Sequence, residues 1–305
     1  MSKTIAVIGT INRDTIIHVD GKKTESYGGA LYNITALSQL LEDNAIIKPC
    51  INLGHDVYPL IAGNLARMGN IDISTLNKVR RKNNHCKLRY HDLEKKSEVL
   101  SGGVPSIRFS DLRKGLDADI TMINFVSGRD ISLRSLEKLR LDYRGKIYID
   151  IHSLTLGKKP DGSRFLRRPR NWKRYAACAD FLQMNSLEFE LLSSNSVEKD
   201  SVKAFYKLFS PSSLKALLVT LGEHGAYFVS QFGRGVRCQQ VLPPKVGKVL
   251  DTTGCGDVFG AGFCSAWITG ASAMRSAEIA VASATLKTRV RGVENLNLPP
   301  LKSPE

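Results

Sequence analysis

The chain opens on a short apolar run, Ile5-Ala-Val-Ile8, closed by Gly9, which is the pattern of a buried strand. From Gly28 the period changes. Ile34, Leu37 and Leu41 recur at i, i+3 and i+7 and so share one face of a helix. A strand over about 45–51 and a helix over about 57–68 follow. The segment 85–100 differs in kind: Cys86, Leu88 and Tyr90 alternate with Lys87, Arg89 and His91, a polar turn occupies 92–96, and Val99-Leu100 leads back. A period of two with one polar face predicts a solvent-flanked antiparallel hairpin.

Beyond about residue 118, strands and helices alternate. Strands are predicted at 120–125, 146–151, 180–184, 216–221, 226–230 and 236–239. Helices are predicted over about 131–142, 186–193, 256–269 and 272–287. This alternation implies an α/β fold with a mostly parallel sheet and helices on both faces. The tail from Asn295 onward is rich in proline and is expected to be loose. The chain shows no internal repeat and no low-complexity block.

Composition sharpens this picture at three points. Over 305 residues, 42% hydrophobic and 24% charged is the balance of a globular chain with a sizeable core, which excludes disorder as the main state. No apolar run approaches the roughly 20 residues that cross a bilayer. The four apolar residues before Gly9 are too few for a signal-peptide core, so the expected location is cytoplasmic and no membrane partner is expected. The six cysteines, at 50, 86, 178, 238, 255 and 264, include no Cys-x-x-Cys pair and no His at zinc-finger spacing, and are expected to be reduced and mostly buried.

Charge is the unusual quantity: 44 Lys and Arg against 29 Asp and Glu give +15. A nucleotide, a nucleic acid or a membrane surface would each answer it. The densest basic run, Ser163-Arg-Phe-Leu-Arg-Arg-Pro-Arg-Asn-Trp-Lys-Arg-Tyr175, holds six cations and no acid, and Lys78-Val-Arg-Arg-Lys82 is a shorter one. Cations interleaved with Phe165, Trp172 and Tyr175 suit a nucleic-acid face. They suit equally a solvated loop leading into a helix whose aromatics face the core.

The chemistry concentrates in Val249-Leu-Asp-Thr-Thr-Gly-Cys-Gly-Asp-Val-Phe-Gly-Ala-Gly-Phe263. Small residues let backbone N–H groups turn inward as an anion-binding nest. A helix beginning there adds its positive end and its unpaired N–H groups. Asp257, just past the nest, is placed to take a proton from an attacking hydroxyl. A stabilised anion beside a positioned base is what phosphoryl transfer requires. A glycine turn before an Asp-capped helix gives the same letters with no chemistry attached. There is no Gly-x-x-x-x-Gly-Lys-Ser/Thr, so a P-loop is excluded.

Asp251-Thr-Thr-Gly-Cys-Gly-Asp257 resembles the Asp-Thr-x-Gly-Ala-Gly-Asp signature of the ribokinase, or PfkB, family of carbohydrate and nucleoside kinases. Further stretches resemble that family in the same order. Gly9-Thr-Ile-Asn-Arg-Asp14 resembles its first substrate loop, with Asn12 and Asp14 at the matching positions, and Gly28-Gly-Ala-Leu-Tyr-Asn33 resembles its Gly-Gly-x-x-x-Asn element. Gly54-His-Asp56 resembles its Gly-x-Asp, Asn185-Ser-Leu-Glu188 its Asn-x-x-Glu, and Thr220-Leu-Gly-Glu-His-Gly225 its Thr-x-Gly-x-x-Gly turn.

The resemblance spans roughly residues 5–292. It implies one domain over 1–305 with a ribokinase-like three-layer sandwich, and a small β lid drawn from about 10–30 and 85–110 that often mediates a homodimer. It further implies transfer of the γ-phosphoryl of ATP to a hydroxyl of a sugar or nucleoside. Asp257 would be the general base, and the Gly254, Cys255 and Gly256 backbone the anion hole. Asn12, Asp14, Gly28, Gly29 and Asn33 would hold the acceptor. Asn185, Glu188, Thr220, Gly222 and Gly225 would serve the nucleotide, with Mg2+ near Glu188 through water. Many members also use a monovalent cation, K+ here, for which Asp251, Thr253 and the segment 288–292 are the place to look.

Two departures stand out. Cys255 replaces the usual Ala; it is small enough to serve as a plain filler of the turn, while a thiol at a helix N-terminus tends towards a lowered pKa and oxidation. Ala30 stands where ribokinases proper commonly carry Lys, which argues against free ribose. Tyr32, Tyr90 and Phe125 offer flat surfaces for a nucleoside base, and packing within the core accounts for each of them as well. A nucleic-acid-binding protein and a catalytically silent scaffold on the same fold remain as competing readings.

Overall fold

The computed structural model describes residues 3–17, 19–91, 96–112, 115–209 and 214–301. Strand β1 (Lys3–Ile8) shows how its core is organised: Ile5 and Val7 enter one apolar cluster, Ala6 and Ile8 another. A strand apolar on both faces has to be covered on both.

In chain order the strands are β2 (Ile11–Ile17), β3 (Lys23–Gly29), β4 (Ala45–Pro49), β5 (Asn52–Gly54), β6 (Asn77–Val79), β7 (His85–Tyr90), β8 (Lys96–Ser101), β9 (Ile120–Asn124), β10 (Lys146–Asp150), β11 (Leu156–Lys158), β12 (Arg164–Leu166), β13 (Phe181–Asn185), β14 (Ala216–Thr220), β15 (Ala226–Phe232) and β16 (Gly235–Val241). The helices are α1 (Ala30–Leu41), α2 (Tyr58–Ala66), α3 (Phe109–Leu112), α4 (Leu133–Asp142), α5 (Trp172–Ala177), α6 (Ser186–Ser193), α7 (Lys199–Lys207), α8 (Cys255–Ile268) and α9 (Ala273–Lys287).

Eight strands form one sheet in the order β16-β15-β14-β13-β10-β9-β1-β4, the last six parallel and β15 antiparallel to both its neighbours. Helices α1, α2, α8 and α9 cover one face, and α3 to α7 the other. The chain leaves β1 for β4 on one side and returns to β9 on the other. That reversal opens a crevice at the carboxyl ends of β1 and β9, where such sheets bind ligands.

A second sheet, β3-β2-β7-β8, carries its own small core of Ile16, Cys86, Leu88 and Leu100. The hairpin at 85–100 is β7 and β8; of its expected turn, residues 92–95 lie outside the described residues. Asn12 and Asp14, expected on a loop, lie in strand β2, which pairs with β7 in parallel. The edge strand β8 meets the start of the basic run, through a bridge between Val99 and Ser163 and a 2.9 Å bond from Leu100 N to Gly162 O.

Three points of the sequence reading are corrected. The tail is packed rather than loose. Leu296 and Leu298 are buried, Gln39 bonds the backbone of both at 2.7 and 3.0 Å, and Leu301 N reaches Leu40 O. Two leucines just ahead of the Pro299-Pro300 pair supplied enough apolar area to hold it. Helix α7 was not anticipated, although Val202, Phe205 and Tyr206 stand at helical spacing and are buried. Helix α1 begins at Ala30 rather than at Gly28, because Gly29 takes a φ of +63° and a Cβ there would stand 2.6 Å from Thr10 O. Among the described residues no helix is long and apolar enough to cross a membrane, and all six cysteines are free.

Candidate active site

Helix α8 points its N-terminus at the crevice. The turn before it rests on Tyr32: Gly254 has a φ of +81°, and a Cβ there would stand 2.7 Å from the Tyr32 ring. Of the three backbone groups expected to bind an anion, Cys255 N already donates to Thr252 O at 3.2 Å and closes this turn. Asp257 lies in the first helical turn, buried to 9% exposure. Asn124, the last residue of β9, donates Nδ2 to Asp257 Oδ1 at 2.6 Å and to Asn33 Oδ1 at 2.8 Å. Asn33 in turn donates to the Asp257 carbonyl at 2.8 Å. The Asn124 amide thus fixes the carboxylate, and the Asn33 amide fixes the backbone beneath it at the start of the helix.

Of the expected acceptor residues, Asp14 lies over Gly28, where a Cβ would fall 2.1 Å from Asp14 Oδ2. Asn12 is buried, and its Oδ1 has no hydrogen-bond partner among the described residues; the same holds for Asn124 Oδ1. Unpaired buried acceptors are rare and call for a donor. Asn33 is fully buried beneath Asp257, and its bonds are those of a support for that residue. Gly54 and Asp56 sit apart from this group and fasten Asn83: Gly54 N donates to Asn83 Oδ1, and Asp56 accepts from Asn83 N at 2.8 Å.

Asn185 and Glu188 form a reciprocal capping box at the start of α6, with bonds of 2.8 and 2.9 Å. Burial pushes the Glu188 carboxyl up to about 7. Asp150, at the end of β10, is fully enclosed; burial raises it well above the carboxylate range, and the charges of Glu188 and Asp257 add to the effect. Gln183 donates Nε2 to Asp150 Oδ2 at 3.1 Å and to Gly256 O at 3.0 Å, so β10 and α8 share one fastening. The Thr220–Gly225 turn closes β14, with Gly222 and Gly225 both at positive φ. Beside it lies a shallow depression lined by Ser186, Val197, Leu221, His224, Tyr227 and Gln240. From the small sheet, Tyr90 OH reaches Thr253 Oγ1 at 3.0 Å, so that sheet touches the turn before α8.

The segment 288–292 does lie against Asp251: Leu250 N and Asp251 N both donate to Thr288 O. Between them stands a group not singled out in the sequence. The Lys287 ammonium, fully buried, is 3.3 Å from Asp251 Oδ2, donates to Val290 O at 3.0 Å, and lies 5.5 Å over the centre of the Tyr32 ring. The position where the resemblance puts a monovalent cation therefore already holds a positive charge, and these residues do not fit a free ion beside it.

Three further sequence expectations change. Burial pushes the Cys255 thiol up to about 12, outweighing the opposing influence of Lys287, so the lowered pKa inferred from its helix position does not hold. Phe125 is buried edge-on against Tyr175, and Tyr32 is covered by Gly254, so neither ring offers a face to a base. In the basic run, Arg164 donates to Ser153 O and Leu156 O, Arg168 to Leu192 O, and Arg174 pairs with Glu137 through two bonds of 2.8 Å. Trp172 is core, stacked on Phe205. Half of that run is thus engaged in holding its own loop, while Arg167, Arg170 and Lys173 are exposed.

Asn124, Asp150, Gln183 and Lys287 were missed in the sequence. The first two had a usable signal, a polar residue ending an apolar strand at a crevice.

Residues 164–300 match the model of the pfkB family carbohydrate kinases. No curated protein matches the chain. Among solved structures, ribokinase from Giardia lamblia superposes with a TM-score of 0.78 at 16% identity, covering 98% of each chain. Ribokinase from Arabidopsis thaliana, complexed with ribose and ATP, gives 0.74 at 20% identity over 98% of this chain and 96% of that one. A Methanocaldococcus jannaschii nucleoside kinase, an archaeal member of the ribokinase family, gives 0.70 at 21% identity over 98% and 95%. The match over residues 164–300 and the ribokinase fold of the whole chain together bear out the resemblance to the ribokinase, or PfkB, family.

Proposed function

We propose that this chain is an ATP-dependent kinase that phosphorylates a hydroxyl of a sugar or nucleoside, with Asp257 as its general base. One observation carries the reading: a carboxylate fixed by Asn124 in the first turn of α8, at the crevice where the sheet order reverses. The acceptor O–H gives its proton to the Asp257 carboxylate while its oxygen attacks the γ-phosphorus. The bond from phosphorus to the bridging oxygen breaks and ADP leaves. The N–H groups of Gly254 and Gly256 and the end of α8 face the charge that develops. Asn12 Oδ1 and Asp14 accept hydrogen bonds from the acceptor's other hydroxyls, which fixes the attacking one in place. The small sheet, already joined to the anion turn through Tyr90, acts as the lid that keeps water from the phosphoryl group.

Mg2+ would neutralise the triphosphate when bound. Its nearest protein groups would be Glu188 and Asp150, hard oxygen donors whose mutual repulsion such an ion relieves. A nucleotide base would lie by the depression next to Thr220, Gly222 and Gly225. The test is ADP release from ATP across a panel of sugars and nucleosides. Turnover on at least one of them is expected; none on any would favour a silent scaffold.

A further inference from the structure

We infer that Lys287 is a tethered replacement for the monovalent cation, so that this protein works without K+. The inference rests on the kinase reading for its consequence and on the geometry of Lys287 for its substance.

The Asp251 to Thr253 turn and the 288–292 segment offer the donors an alkali ion takes: one carboxylate and backbone carbonyls. The Lys287 ammonium engages that set, Asp251 Oδ2 at 3.3 Å and Val290 O at 3.0 Å, with the Tyr32 face on another side. An ammonium and a potassium ion have the same charge and similar size, and both accept oxygen donors and aromatic faces. A fully buried cation persists only where such partners surround it. The charge also reaches the anion turn. Tyr32 carries Lys287 on its ring and touches Gly254, and the field of Lys287 acts on Cys255. Lys287 therefore does by covalent attachment what a dissolved ion does by binding: it offsets Asp251 and keeps a positive charge behind the turn. A second cation on the same donors would meet its repulsion. The residue is a positioning group, since it acts through Asp251, Tyr32 and the turn.

The test compares KCl with tetramethylammonium chloride at equal ionic strength, reading both phosphoryl transfer and thermal melting. For the parent protein the two salts should give rates within about two-fold and the same melting temperature. Lys287→Ala opens the position. In tetramethylammonium it should lose at least about ten-fold in rate and melt lower, and KCl should restore part of both. Lys287→Met keeps the volume without the charge and should show no recovery by KCl. A parent rate or melting temperature that climbs steeply with K+ would overturn the inference, as would Lys287→Ala behaving like the parent in tetramethylammonium. If Lys287→Ala fails to fold, the parent's KCl response decides alone. Absence of transfer to every acceptor in every salt would count against the kinase reading, and the melting data would still decide the cation question.

Discussion

Asp251 and Asp257 stand six positions apart, on one turn and one helix, and each carboxylate has a different fixed partner. The Asp257 carboxylate accepts the Asn124 amide, and its backbone carbonyl accepts the Asn33 amide. Asp251 faces a fully buried ammonium. A carboxylate fixed by neutral donors keeps its capacity to accept a proton; one paired with a cation is a fixed part of the local field. The two aspartates of one motif thus have different partners, an amide for one and an ammonium for the other.

The sharpest way to break this contrast is Asp257→Asn, which keeps the bond geometry and removes the base. Turnover should fall by roughly 10²-fold or more while ATP still binds, as steady-state rates and calorimetric titration would show. Near-normal turnover would place the base elsewhere. Asp251→Asn should do the reverse. It leaves the Lys287 ammonium short of a counter-charge and should lower stability by about 2 kcal/mol in urea unfolding, a figure reduced from the fully buried case because Asp251 is about one-fifth exposed. If it proves kinetically silent and stable, the pairing is not structural.

Removing the amide support tests the other half. Asn124→Ala should lower kcat by about 10-fold with little change in KM, because the base is then misplaced and not lost. A change in KM alone would make Asn124 a substrate contact.

Glu188 extends the comparison to pH. Its folded pKa, about 7, lies above the ordinary 4.5, so the folded state holds a proton that the unfolded chain releases. Without ligand, its contribution to stability is intact below about 4.5 and is lost as pH rises through 7. Mg2+ with nucleotide favours the charged form, so binding should release a proton at pH 6 to 7, approximate limits set by that value. Calorimetry in buffers of different ionisation enthalpy would detect it, and Glu188→Gln should abolish it. The smallest effect is expected of Tyr90→Phe, which removes one hydroxyl contact between the small sheet, the proposed lid, and the turn. It should weaken the closed form by about 1 kcal/mol, seen as a few-fold rise in KM.

The site was legible in unequal parts. The local conformation of the signature 251–257 and of the Asn185/Glu188 pair could be read: a glycine turn, a helix start, a capping box. Asn33 was read as facing the acceptor and instead supports Asp257, since nothing local says which way a helical side chain's partner lies. Lys287 looked like any basic residue in the last turn of a helix, an ordinary place for one. Its meaning comes from Asp251, Val290 and Tyr32, brought together from three elements. The basic run was ambiguous for the same reason. Arg168 and Arg174 find Leu192 and Glu137 only once α5 packs beside α6 and α4.

By itself, then, the sequence determined the alternation of strands and helices, the two-sided core and the glycine turn before α8, because period, glycine positions and capping act over a few residues. Tertiary structure alone decided which aspartate is paired with a cation, which amides hold the other, and which expected contacts point elsewhere. Those depend on side chains separated by tens to hundreds of positions, whose energies appear only when the fold has removed them from water.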